Sequence, residues 1–154
     1  MIDRDQAIGF WLAALGMVTA LVPPLATETV PSLPARPELL TAVLAAALLL
    51  ALAPLWPMLS AGLGFVAAAL ACAVTLDLLA QADIAGHASW GYWLLVLAGW
   101  LGAALTLTRL AALPVTDRGG RWLRDLAIPL LFGAFLIYLW EVAVRETRSL
   151  LEEW

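Results

Sequence analysis

The sequence predicts an all-α polytopic bundle of about five transmembrane helices, and three observations carry that expectation. Apolar residues make up 64% of the chain and charged residues 13%, about half the share of charge usual in a soluble domain, and mean hydropathy is +0.94. The apolar residues fall in runs long enough to cross a hydrocarbon core, which takes about 20 helical residues. The breaks between these runs hold prolines, glycines and charges. Five spans with short connectors use all 154 residues, so the chain reads as one transmembrane domain.

The first span covers residues 7–22 and stops at Pro23 and Pro24, neither of which has an N–H for the next helical bond. Asp3, Arg4 and Asp5 make a poor basic leader and further spans follow, so this span is read as retained rather than as a cleaved signal. Residues 25–37 carry Pro31, Pro34 and Pro37 among Ser, Thr and Glu28, a composition that suits an extended connector outside the hydrocarbon. Spans two and three cover residues 39–55 and 58–79, and Trp56-Pro57 breaks a stretch far too long for one crossing into a tight hairpin. The alternative, one crossing plus a re-entrant piece over residues 39–79, leaves four spans and moves the C-terminus inside. Asp83, Gly86, His87 and Ser89 mark the next turn, and span four runs over residues 90–113 to Pro114. A polar loop over residues 116–125 leads to span five at residues 126–144, and a short acidic tail follows.

Orientation follows from arginine, because lysine is absent and all eight cations are arginines. Five crossings put Arg4, Arg109, Arg118, Arg121 and Arg124 on one side, and Arg36, Arg145 and Arg148 on the other. The positive-inside rule makes the first side cytoplasmic, with the N-terminus inside and the C-terminus outside the inner (plasma) membrane. Trp11, Trp56 and Trp122 then lie near the inner interface and Trp90, Trp93 and Trp140 near the outer one, as aromatic belts do, while Trp100 falls at mid-span.

Ionisable groups at membrane depth are functional candidates by default. Asp77 and Glu141 are the two here, each within a turn or two of the outer end of its span. Meeting across the bundle they would form a cation or proton site; the plainer reading, favoured here, is a pair of interfacial carboxylates, with Glu141 pairing Arg145 one turn on. His87 sits in a turn with no second histidine to share a ligand, and Cys72 is the single cysteine, so neither metal nor haem nor any other cofactor is expected. Net charge of −4 leaves no extended basic surface for nucleic acid. Arg118, Arg121 and Arg124 recur every third residue around Trp122 in the cytoplasmic loop, where they set topology or, on a short interfacial helix, contact anionic lipid or a cytoplasmic partner. Gly119-Gly120 lacks the following Lys and Ser or Thr of a phosphate loop. Ser60, Gly64, Ala68 and Cys72 repeat every four residues on span three and Gly99 with Ala103 on span four, a small-residue seam that lets helix backbones approach, within this chain or against a partner. With no Ser-His-Asp set, no carboxylate dyad at depth and no Gly-x-Ser-x-Gly elbow, enzymatic function is not expected.

Residues 124–145 run Arg124-Asp125-Leu126-Ala127-Ile128-Pro129-Leu130-Leu131, then Phe132 to Tyr138, then Leu139-Trp140-Glu141-Val142-Ala143-Val144-Arg145. This segment resembles the first transmembrane helix of permeases in nitrate, sulfonate and taurine-type ABC importers, which joins a basic cytoplasmic stretch, a Pro-Leu-rich helix and a Leu-Trp-Glu-x-x-x-Arg ending. The resemblance rests on Trp140, Glu141 and Arg145 as a helix-end signature and implies an N-terminal or accessory membrane module, or a truncated permease. The chain has no Glu-Ala-Ala-type loop for docking on an ATPase, so such a module would not drive transport alone.

The expectation is therefore a small membrane subunit or module of a transport system that acts by packing against partner membrane subunits and lipid. The competing class is an accessory or assembly subunit of a respiratory or photosynthetic complex. A self-contained ion or proton carrier using Asp77 and Glu141 is the third reading.

Overall fold

The structure, a computed structural model, describes residues 4–21, 37–56, 59–80, 89–114 and 118–152. The proline-rich connector and the turn that holds Asp83 and His87 lie outside the described residues.

Five helices follow in order: α1 Arg4–Thr19, α2 Pro37–Leu52, α3 Ser60–Leu79, α4 Trp90–Ala112 and α5 Arg118–Glu152. The last four hold stretches long and apolar enough to cross a membrane, which makes the chain an all-α membrane protein. The first, 16 residues long over the described chain, packs against α2 and α4 as the fifth helix of the bundle. Pro37 opens α2 at a position where a missing N–H costs nothing, and Glu38 in the first turn complements the helix dipole. A 3-10 turn over Ala53–Leu55, with Pro54 inside it, ends that helix. The Leu59 N–H donates to the Trp56 carbonyl at 2.9 Å, and α3 packs back on α2. The stretch 39–79 thus holds two helices packed on each other, and no single crossing with a re-entrant piece, while Pro57 of the predicted hairpin lies outside the described residues.

Residues 118–125 differ from expectation. They form the first two turns of α5, so Arg118, Arg121 and Arg124 stand on a helix and not in a loop. Beyond Gly119-Gly120 the segment meets no breaker before Pro129, and arginine and leucine are good helix formers. The tail joins the same helix as far as Glu152, which at 35 residues is about 52 Å long and outreaches the hydrocarbon at both ends. Pro129 sits inside it, a position membrane helices tolerate when neighbouring groups satisfy the freed carbonyl.

The first four helices close a ring in which each packs on the next and α4 returns to α1. Phe10, Met17, Val43, Leu50, Leu78, Tyr92 and Leu95 fill its centre and are fully buried. Lipid tails are as apolar as these side chains, so close packing and internal hydrogen bonds hold the ring rather than escape from water. Glycine permits the approach: a Cβ on Gly16 would stand 3.1 Å from Ala98 Cβ, one on Gly99 3.1 Å from Ala71 Cβ, and one on Gly102 3.2 Å from Leu50. α5 stands apart. Only 6% of its apolar stretch is buried, against 33–44% for the other three.

Candidate functional site

The contacts of Gly9 with Leu105 and of Gly16 with Ala98 show α1 and α4 to be antiparallel. Among the described residues, Arg4, Arg109, Arg118, Arg121 and Arg124 therefore gather at one end of the bundle, called here the arginine end, while Arg145 and Arg148 lie beyond the other.

Between α5 and the paired faces of α3 and α4 runs an apolar cleft with two lobes. The lobe nearer the arginine end, about 450 Å³, is bounded by Ala61, Gly62, Leu110, Ala127 and Leu130. The other, about 270 Å³, is bounded by Ala68, Cys72, Ala103, Ala134 and Tyr138. Phe65, Thr106 and Leu131 line both and make the cleft continuous. It exists because Ala61, Ala68 and Ala103 present small side chains there, while α5 is tied to α4 through Arg124 and to α3 through Tyr138.

At the far end a hydrogen-bond cluster anchors α5. Thr75 Oγ1 lies 3.0 Å from both the Ala71 and Cys72 carbonyls and 2.6 Å from Tyr138 Oη. A hydroxyl carries one proton, and carbonyls only accept, so Thr75 donates to its own helix and Tyr138 donates to Thr75. From the other side the Tyr92 hydroxyl donates to the Thr75 carbonyl at 3.4 Å. At the arginine end, Arg124 Nη1 donates to the Leu113 carbonyl at 3.3 Å, and its Nε and Nη2 to Asp125 Oδ1 at the same distance. That guanidinium joins α5, three residues before Ala127, to the end of α4, three residues after Leu110 of the nearer lobe.

The predicted seam divides between two neighbours. Ser60 and Gly64 face α4: the Ser60 hydroxyl accepts from Arg109 Nε at 3.0 Å, and a Cβ on Gly64 would collide with the Thr106 hydroxyl. Gly99 packs against Ala71. Ala68, Cys72 and Ala103 line the cleft instead. The sequence marks Arg109 only as a topology signal; it is 8% exposed and in the last turn of α4, where a cation complements the carbonyl end of the dipole. Trp11 donates to the Ala51 carbonyl at 3.2 Å, three residues ahead of Pro54, which has no N–H to offer it.

The two carboxylates are not brought together. Glu141 accepts from Arg145 Nε at 2.7 Å, as the plainer reading has it. Asp77 is exposed, and it is rotated about 200° around α3 from Thr75, the residue that meets α5. Cys72 is half-buried, and among the described residues no three His, Cys, Asp or Glu side chains gather closely enough to hold a metal ion.

Sequence reasoning missed the Tyr138–Thr75 bond, the burial of Arg109 and a buried Gln6 carbonyl that meets no donor among the described residues. Thr75 and Tyr138 are uncharged polar residues within apolar runs, which was the available signal. Comparison of the chain with protein-family models, curated proteins and solved structures finds no match.

Proposed function

We propose that the chain is a small, non-catalytic membrane subunit or module of a transport system, and that α5 is the helix by which it packs against partner membrane subunits. The observation that carries this reading is the isolation of α5, whose apolar stretch is 6% buried. Its face opposite the cleft repeats Pro129, Gly133, Leu136 and Trp140 at helical spacing, and a Cβ on Gly133 would meet nothing within 4 Å. Such a face suits a neighbouring helix, since a glycine lets backbones come close where two helices cross. The segment that resembles an importer permease helix, residues 124–145, lies wholly in α5.

The arginine end is assigned to the cytoplasm of the inner membrane, on the strength of its five described arginines against two at the other end. Asp77 and Glu141 give no support to a carrier, because one is rotated away from α5 and the other is held by Arg145.

Purification of the chain in mild detergent, with identification of the chains that accompany it, tests the reading. Transporter subunits, including an ATPase, are the expected companions. Oxidase or pigment-complex subunits would replace this reading with the assembly one, and a lone homogeneous oligomer would contradict both.

A further inference from the structure

We infer that the cleft between α5 and the α3/α4 face is a binding site for one anionic phospholipid, its acyl chain along the apolar lining and its phosphate at Arg124. The row of residues that α5 presents to the cleft is Ala127, Leu131, Ala134 and Tyr138. Arg124 begins that row, three residues before Ala127, so the same helix face runs from a guanidinium to an apolar wall. This order matches an amphiphile: a charged head, then a tail.

The length of the cleft fits an acyl chain. From Ala127 to Tyr138 the lining rises about 16 Å, close to half of a hydrocarbon core of about 30 Å, which is the depth of one leaflet. The two lobes together form one elongated apolar groove, as a single acyl chain requires. Nothing polar along the lining asks for water, since the Thr106 hydroxyl is used on the Gly102 carbonyl at 2.7 Å and Tyr138 on Thr75. That tyrosine lines the far end.

Charge completes the match. The cationic groups around the mouth are Arg124, which spans to Leu113, and the exposed Arg121 and Arg118 one and two turns before it; Asp125 is the single acid among the described residues of that segment. A guanidinium has five N–H donors, and the three contacts of Arg124 leave two for a phosphate oxygen. Basic pockets between membrane helices hold anionic headgroups in this way.

The test uses the full chain in nanodiscs that contain phosphatidylglycerol carrying a photoactivatable group on its acyl chain. Adducts on Ala68, Cys72, Ala103 or Ala134 of the unaltered protein, displaced by excess phosphatidylglycerol and not by phosphatidylcholine, are expected. Lipid retained through detergent exchange is then counted by native mass spectrometry. About one phosphatidylglycerol per chain is expected, with retention reduced about fivefold in Arg124→Gln, lost in Ala134→Trp and unchanged in Gly133→Leu on the opposite face. Adducts spread evenly over the outer face of α5, at Leu136 and Trp140, would overturn the proposal, as would equal displacement by the two lipids. So would adducts to a neighbouring protein chain from the cleft residues.

Discussion

The hydroxyls of Tyr138 and Thr75 lie 2.6 Å apart, and their bond ties the otherwise exposed α5 to the four-helix ring. Because Thr75 still donates to its own helix when the phenol is gone, Tyr138→Phe leaves no buried donor stranded. The loss should be small: about 0.6 kcal/mol, and no more than about 1.7, the range found for hydrogen bonds between membrane helices. Reversible unfolding in mixed micelles measures it. A Tyr138→Phe, Thr75→Val pair should cost less than the sum of its parts, since both remove one interaction; full additivity would place the anchor of α5 elsewhere.

Two glycines on α3 separate packing from propensity. A Cβ on Gly64 collides with the Thr106 hydroxyl, which is itself held by the Gly102 carbonyl, whereas a Cβ on Gly62 meets nothing within 4 Å. Gly64→Ala should lower stability by about 1–3 kcal/mol, the usual cost of overpacking. Gly62→Ala should be neutral or slightly stabilising, because alanine is the better helix former. Thermal aggregation of the two variants in detergent gives the comparison, and equal melting temperatures would remove the seam as a packing determinant.

Ser60 is fully buried, and its hydroxyl accepts from Arg109 Nε at 3.0 Å. Hydrogen bonds to a charged group contribute about 1.5–3 kcal/mol, so Ser60→Ala should destabilise by that order while Ser60→Thr, which keeps the acceptor, largely restores it. A Ser60→Ala protein as stable as the parent would mean that other groups carry Arg109.

Gln6 presents the opposite case, a buried carbonyl oxygen with no donor among the described residues. Replacing such a group by an apolar one of similar shape removes an unpaid desolvation cost. Gln6→Met should leave the unfolding midpoint unchanged or raise it, and a fall of more than about 1 kcal/mol would show that the oxygen has a partner after all.

The ring of helices was legible in the sequence because its strongest signals are physical stops. Pro23-Pro24, Trp56-Pro57 and Pro114 each remove a backbone donor, and between them run stretches apolar enough to name the solvent. The end of α5 was not legible in the same way. Charge at residues 117–125 reads as a loop, yet arginine and leucine carry the helix through it once no proline intervenes, so helix and span boundaries part company there. The cleft was beyond the sequence for a different reason. Ala68, Cys72 and Ala103 look like any small-residue seam, and only the position of α5 decides whether a neighbouring backbone fills the space they leave. Arg109 illustrates the same limit: its place near a span end was plain, and its burial against Ser60 depends on how α3 and α4 meet.

The outer face of α5 offers the most direct measurement of the account's central claim. A photo-crosslinking residue placed at Gly133, whose Cβ would meet nothing within 4 Å, should in native membranes yield one discrete adduct with another integral membrane chain of an ATPase-bearing transport complex. The same residue at Leu48, exposed on α2 across the ring, should yield lipid adducts alone. Lipid adducts at both positions, or an adduct only with a second copy of this chain, would contradict the assignment of α5 as the helix that joins a larger transport assembly.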